Sequence, residues 1–148
     1  MTRRMSCSMT IDAVKARSKT VTRRHVDTWM DLKPGDRLTL IEKGMGLPKG
    51  AQQVVLAEVE IVGVRLEPIG LLDEIRYGRQ EVALEGFGRM DPYEFKWLWI
   101  RSHYRSNAYD IDGYAAPMPG RLVCRRIEWR YLDSPVSLPF AANQGEPQ

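Results

Sequence analysis

The sequence predicts an α+β domain: a small, partly open β-barrel with short helices inserted between its strands. Three observations lead there. A long valine-rich run, Val54 to Leu66, reads as a strand. After Pro68 the apolar period changes from that of strands to that of helices. The chain then returns to a strand pattern at Arg121 to Leu132, where apolar and polar residues alternate. Strands first, helices in the middle and a closing strand are the order of an α+β domain. A partly open barrel is the natural way for a few long, curved strands to share one core. A chain of 148 residues buries roughly 69% of the surface its unfolded form exposes, which suits one domain and not two.

The elements follow in order. Ser6 to Thr10 alternates weakly and is a candidate first strand. Thr10 is placed to cap a short helix from Ile11 to about Arg17, with Asp12 in its first turn and Lys15 and Arg17 in its last, as the macrodipole favours. Ser18 to Arg24 carries three β-branched residues and three cations. Lys33-Pro34-Gly35-Asp36 has turn chemistry, because proline presets one dihedral and glycine relaxes the next. Arg37 to Lys43 reads as a strand, joined to Val54–Leu66 by Gly44-Met45-Gly46-Leu47-Pro48-Lys49-Gly50. That glycine loop lacks the spacing and the following helix of a phosphate cradle, so it reads as a hairpin connection. Leu71 to Tyr77 and Gln80 to Glu85 are short helical pieces. Asp91-Pro92-Tyr93-Glu94 opens a helix running to about Tyr104, with Asp as cap and Pro at the first position. At about 100° per residue, Tyr93, Trp97, Ile100 and Tyr104 form one stripe, and Phe95, Leu98 and Trp99 spread over the opposite side. Such a helix is either sandwiched in the core or shows one aromatic stripe to a ligand. Ser106 to Gly120 reads as a polar loop. In the last strand Val123, Ile127, Trp129 and Tyr131 share a buried face, and Cys124, Arg126, Glu128 and Arg130 a wet, cationic one. The domain is expected to span residues 1–133, with a flexible tail over 134–148 that adds nothing to the core.

Apolar residues make up 43% and charged residues 28%, which excludes global disorder and a fibrous repeat. No apolar run approaches the ~18 residues of a membrane span, and the basic start has no apolar stretch of a signal peptide behind it. Cys7 and Cys124 form neither a metal-like spacing nor a disulfide framework. A soluble, cytoplasmic protein with reduced thiols and no membrane partner is expected. Net charge is only +3, yet it is segregated. Met1 to Val26 holds seven basic residues and one acid, and Arg121 to Tyr131 holds four arginines and one glutamate. Two such segments suit a phosphate-bearing partner if the fold unites them; otherwise they are an Arg-rich solvated surface. In a small barrel the first and last strands commonly neighbour each other. One continuous positive surface containing Arg23, Arg24, Arg126 and Arg130 is therefore expected, with Arg23 and Arg24 exposed.

The segment Thr10 to Arg24, ending Ser18-Lys19-Thr20-Val21-Thr22-Arg23-Arg24, resembles the signature of the ASCH family, a branch of the PUA-like barrels. Pro34-Gly35-Asp36, the strand Leu38 to Glu42, and Glu85-Gly86-Phe87 followed by Met90 and an Asp-Pro helix start fit the same pattern. The likeness runs from about Ser8 to His103 and is strongest to the small stand-alone ASCH proteins of bacteria and phages. It implies a PUA-like barrel whose cleft holds RNA, DNA or a single nucleobase. Some members hydrolyse the acetyl amide of acetylcytidine with a Lys, a Thr and a Glu. Carried over by motif, these are Lys19, Thr22 and Glu85, with Glu85 in a segment whose length varies among relatives.

The residues support several readings by themselves. A threonine hydroxyl needs a base beside it to act as a nucleophile, and a desolvated lysine amine can be that base. A neighbouring carboxylate would instead hold the ammonium charged, which suits binding or oxyanion stabilisation. Alternatively Lys19 and Arg23 grip phosphates while Thr20 and Thr22 fill strand positions. Three functions stay open. The first is a nucleic-acid or modified-nucleoside binding module with a cationic cleft, using Lys19, Thr20, Arg23, Arg24, Arg126 and Arg130 on phosphates and Trp29 to stack on a base. The second is an amidohydrolase acting on an acylated nucleobase. The third is a protein-interaction module using the Tyr93/Trp97/Ile100/Tyr104 stripe. No cofactor or metal is expected, since His25 and His103 have no acidic cluster beside them in sequence.

Overall fold

A computed structural model describes residues 2–104 and 122–133. The expected loop at 106–120, the start of the last strand at Arg121 and the tail from 134 lie outside these residues. Five strands form one curved, half-barrel sheet in the order β1-β3-β4-β5-β2. They are β1 (Arg3–Ser6), β2 (Val21–His25), β3 (Arg37–Ile41), β4 (Val55–Pro68) and β5 (Val123–Tyr131). β1 runs parallel to β3, with Arg3 opposite Leu38 and Ser6 opposite Ile41. The other pairings are antiparallel, and β2 takes the far edge against β5, with Arg23 opposite Arg126. The last strand is thus neighbour to β2, which carries the motif, whereas the first strand, β1, takes the opposite edge of the sheet.

β4 is the organising strand. Its 14 residues pair first with β3 and then with β5 well past the end of β3. Between Ile61 and Gly63 the register slips, leaving Val62 as a bulge. A bulge bends its strand and increases the local twist, which is what lets one strand serve both halves of a half-barrel. Ala57, Val59 and Ile61 point into a core with Met5, Leu38, Leu40, Ile127 and Trp129. A second cluster, containing Ile69, Leu72, Val82, Phe95, Trp99, Ile100 and Cys124, lies under the helices. Both cysteines are free and buried.

In chain order one short helix lies between β1 and β2, and the other helices lie between β4 and β5, which themselves pair directly in the sheet. α1 (Ile11–Lys15) is shorter than expected, because Arg17 turns into the left-handed region at φ 63° and reverses the chain. Thr10 makes no side-chain capping bond. The first strand ends where this turn begins, so Ser6 to Thr10 is not a strand and Arg3–Ser6 is. Beyond Pro68 a 3-10 turn (Ile69–Asp73) leads into α2 (Ile75–Leu84), where the sequence suggested two separate pieces. Glu74 joins them as N-cap, accepting from the Tyr77 amide at 2.8 Å. Gly78 lies between the two expected pieces and continues α2. It is a packing residue, since a Cβ there would lie 2.2 Å from the Leu72 carbonyl oxygen and 2.8 Å from Pro92 Cβ.

α3 (Pro92–His103) begins as expected, with the Asp91 carboxylate accepting from the Glu94 amide at 3.2 Å. Removing such a cap costs about 0.5–2 kcal/mol. Asp91→Ala is accordingly expected to lower stability by about 1 kcal/mol in a urea titration while leaving the slope of the transition unchanged. Phe95 and Trp99 are buried on one side of α3 and Ile100 on the other, so the helix is sandwiched. Tyr93 alone of the proposed stripe is fully exposed, whereas Trp97 and Tyr104 pack against the second cluster. The stripe is therefore not a continuous docking surface. No helix among the described residues is long and apolar enough to cross a membrane.

Candidate functional site

β2 is an edge strand, and its outward carbonyls would be open to another chain if nothing covered them. Side chains do so. Lys19 Nζ donates to Val21 O at 2.9 Å, Trp99 Nε1 to Arg23 O at 2.9 Å, and Thr28 Oγ1 to His25 O at 2.7 Å. These caps draw Lys19 and α3 against β2 and leave a pocket between β2, the segment Ser6 to Thr10, α3 and the turn Glu85-Gly86-Phe87. Its volume is about 240 Å³, below the roughly 300–1,000 Å³ of sites for drug-sized ligands.

The motif residues meet here. Lys19 is 3% exposed, and its ammonium faces three acceptors: Glu85 O at 2.6 Å, Val21 O at 2.9 Å and Glu85 Oε1 at 3.4 Å. Three acceptors use all three protons of an ammonium. Burial draws the amine below the ordinary lysine range and the Glu85 charge opposes that shift. The Lys19 carbonyl is held in turn by Trp129 Nε1 at 3.0 Å and by the Tyr131 hydroxyl. Thr22 lines the same pocket, and its hydroxyl accepts from Arg24 Nε at 3.3 Å. Glu85 stands at the C-terminus of α2, where Gly86 adopts φ 93°. A Cβ on Gly86 would meet Ala13 Cβ at 2.8 Å and Lys19 Cβ at 3.3 Å. Glycine is what allows the turn to approach Lys19.

The arginines are arranged otherwise than expected. Arg23 is 2% exposed and donates to three carboxylates: Glu81 Oε1 at 2.6 Å, Glu67 Oε2 at 2.8 Å and Glu85 Oε2 at 3.0 Å. Arg126 is buried too, gripping both oxygens of Glu81 at 2.6 and 3.0 Å and reaching Glu128 at 2.9 Å. Arg65 and the Tyr77 hydroxyl close the network on Glu67. Burial pushes Glu81 and Glu67 upward, yet the arginine hydrogen bonds outweigh it, and both stay below the usual glutamate range. Lys19, Arg23 and Arg126 thus face Glu67, Glu81 and Glu85, a near-neutral cluster. The face of β5 expected to be wet and cationic is mostly dry: Cys124 and Arg126 are buried, and Arg130 is paired with Glu60 at 3.1 Å on the exposed side. The continuous positive surface does not form, and of the three cations lining the pocket Lys19 and Arg23 are paired with carboxylates.

Two further expectations are corrected. Thr20 binds the helix end through its amide, 2.9 Å from Leu84 O, and does not line the pocket. Trp29 packs on the barrel core with the Arg3 guanidinium 4.4 Å from its ring centre, outside the pocket. The aromatic wall comes instead from Phe87, Phe95 and Trp99, with His103 stacked on Trp99 at 4.4 Å. Sequence reasoning missed these as site residues, although Phe87 follows the Glu-Gly motif directly and Trp99 and His103 lie one turn apart on α3. Cys7 also lines the pocket, as a thiol whose ionisation burial pushes upward.

Fold and pocket together define a class: an α+β half-barrel with a small polar and aromatic pocket at one sheet edge. Solved structures share this fold. The chain is similar to hypothetical protein PH0355, at 17% identity and a TM-score of 0.53, over 89% of this chain and all of that one. It is similar to protein EF3133 from Enterococcus faecalis V583, of family DUF984, at 13% identity and a TM-score of 0.57, over 89% of this chain and 80% of that one. An ASCH domain from Lactobacillus crispatus JV V101 aligns at 10% identity and a TM-score of 0.49, over 82% of this chain and 69% of that one. At these identities the likeness extends to the fold alone. No protein-family model and no curated protein sequence matches the chain.

Proposed function

We propose that the pocket reads a single uncharged base or nucleoside, modified or not, either free or unstacked from RNA or DNA. The observation that carries this reading is the pairing of Lys19 and Arg23 in its wall with carboxylates. Lys19 is spent on Val21 and Glu85, Arg23 on three glutamates, and Arg24 donates to Thr22 and to Ser6 O at 2.7 Å. With one cation, Arg24, left without a carboxylate, such a wall offers little to a polyanion but suits a polar heterocycle beside the rings of Phe87 and Trp99, which line the pocket. Trp99 provides the signal for the test, a nucleoside titration followed by tryptophan fluorescence. A saturable change is expected, with affinity moving by less than about twofold between 50 and 200 mM salt. A protein whose binding rests on several phosphate contacts loses orders of magnitude over that range. Steep salt dependence would point to a polyanion groove instead, and no saturation with any nucleoside would sink the reading.

A second reading is favoured by one observation: Lys19, Thr22 and Glu85 share the pocket wall. In amide hydrolysis of an acylated cytidine, Thr22 Oγ would attack the acyl carbon and pass its proton through a base to the 4-amino nitrogen as the C–N bond breaks, and water would then cleave the acyl-threonine ester to release the acid and restore the hydroxyl. Lys19 can be that base only after releasing a proton of its own, which burial assists and its three acceptors resist. If the activity is present, Lys19→Met should abolish turnover and Thr22→Ser should retain part of it. Binding without turnover leaves the pocket a reader.

A further inference from the structure

α3 places a histidine on the pocket wall that neither the motif nor the ion network accounts for. His103 Nδ1 lies 2.8 Å from the carbonyl oxygen of Trp99, one turn earlier on the same helix. A carbonyl can only accept, so in the neutral ring Nδ1 carries the proton and Nε2 is left as an acceptor. The ring cannot easily swing away. It stacks on Trp99 at 4.4 Å and 25°, and Trp99 is itself anchored to Arg23 O. Among the described residues Nε2 has no hydrogen-bond partner, and His103 borders the pocket. Arg24, across on β2, borders the same pocket, with Nε and one terminal nitrogen engaged and the other, Nη1, uncommitted among the described residues.

We infer that His103 is a specificity-determining residue, whose Nε2 accepts a hydrogen bond from an amino N–H of the bound heterocycle while Arg24 Nη1 donates to an adjacent acceptor. The inference rests on the base-reading function proposed above. It assigns the ligand a chemical class: a ring bearing an amino group beside an unprotonated ring nitrogen or a carbonyl, as amino-pyrimidines and amino-purines do. A site built to pair an N–H rejects the analogue that lacks it, because its own acceptor is then left unpaired.

Protonation would reverse the preference, since an imidazolium is a donor at both nitrogens. Burial holds His103 below the ordinary histidine value of 6.5. The neighbouring Arg24 and His25 act in the same direction, and the Trp99 carbonyl and Glu85 oppose them. Amine recognition is therefore present at neutral pH and lost as the pH falls through that lowered value.

The experiment uses two matched pairs: cytidine against its 4-deamino analogue, and adenosine against its 6-deamino analogue. In at least one pair the wild type is expected to favour the amine by about tenfold, the equivalent of one hydrogen bond of about 1.4 kcal/mol. His103→Phe keeps an aromatic ring on Trp99 but has no acceptor, and should bring that ratio to about one. His103→Gln, which restores an acceptor near the Nε2 position, should recover part of it. Nitrogen-15 spectra of the wild type should show Nε2 unprotonated at pH 7.5. The inference is overturned if His103→Phe keeps the wild-type ratio, if neither pair is discriminated, or if Nε2 carries the proton. Binding of no nucleoside at all by the wild type overturns the base-reading function, and this inference with it.

Discussion

Arg23→Ala is expected to destabilise the domain by about 3–5 kcal/mol, the cost of removing one partner from a buried ion network. Its guanidinium joins Glu67, Glu81 and Glu85 at 2.6 to 3.0 Å with none of its side chain exposed. Removing it leaves Glu81 with Arg126, Glu67 with Arg65 and Glu85 with Lys19, each carboxylate short of one charge-assisted hydrogen bond in a dry interior, and the penalty is that unmet desolvation. Chemical denaturation at pH 7 reads the effect directly. A change within ~0.5 kcal/mol, the value for an exposed arginine, would show that the network carries no stability. The acid dependence offers a second measure. Glu67 and Glu81 are held below their ordinary value of 4.5 in the folded state. The stability they contribute is fully present above that value and is lost as pH falls through the lowered ones. In Arg23→Ala these carboxyls, each with one cation fewer, should take up protons more readily, so the gap between variant and wild type should narrow on acidification.

Gly86→Ala is expected to damage both stability and the pocket. The residue holds φ 93°, and a methyl group there would lie 2.8 Å from Ala13 Cβ and 3.3 Å from the Cβ atoms of Thr10 and Lys19. Positive φ costs a non-glycine residue about 1–2 kcal/mol, and overpacking adds about 1–3 kcal/mol. The neighbours cannot yield independently, because Lys19 is tied through its carbonyl to Trp129 and through its ammonium to Glu85. Relief must come by moving the turn, which shifts Glu85 and Phe87 together. We expect a loss of about 2–5 kcal/mol on these two counts and at least tenfold weaker nucleoside binding. Gly88→Ala is the control: it also has positive φ, at 62°, but a methyl there meets nothing within 4 Å. Equal losses in the two variants would show that the close approach at Gly86 has no bearing on the site.

The α+β half-barrel fold was legible in the residues that repeat locally. The valine-rich run Val54–Leu66 and the alternation along Arg121–Leu132 marked two long strands, and the Asp91-Pro92 cap marked the start of α3, because strand propensity, strand period and helix capping depend on near neighbours alone. The segment Lys19 to Arg24 was legible as the heart of the site for the same reason, being contiguous. What lay beyond sequence was the direction in which its charges face. An isolated arginine reads as exposed, since burying a charge is costly unless it is paired. The partners of Arg23 stand 44, 58 and 62 residues away, on β4, within α2 and at its C-terminus. Only the bulge in β4 and the packing of α2 against β2 bring those glutamates to it, turning an apparent phosphate-binding surface into a neutral interior wall. The aromatic side of the pocket was decided in the same way. Trp29 and Trp99 are alike as sequence, and one entered the site because its indole caps an edge-strand carbonyl while the other lies under Arg3 against the barrel. Sequence determined which residues are near one another along the chain; the tertiary structure determined which charges cancel, and with that what the pocket is built to hold.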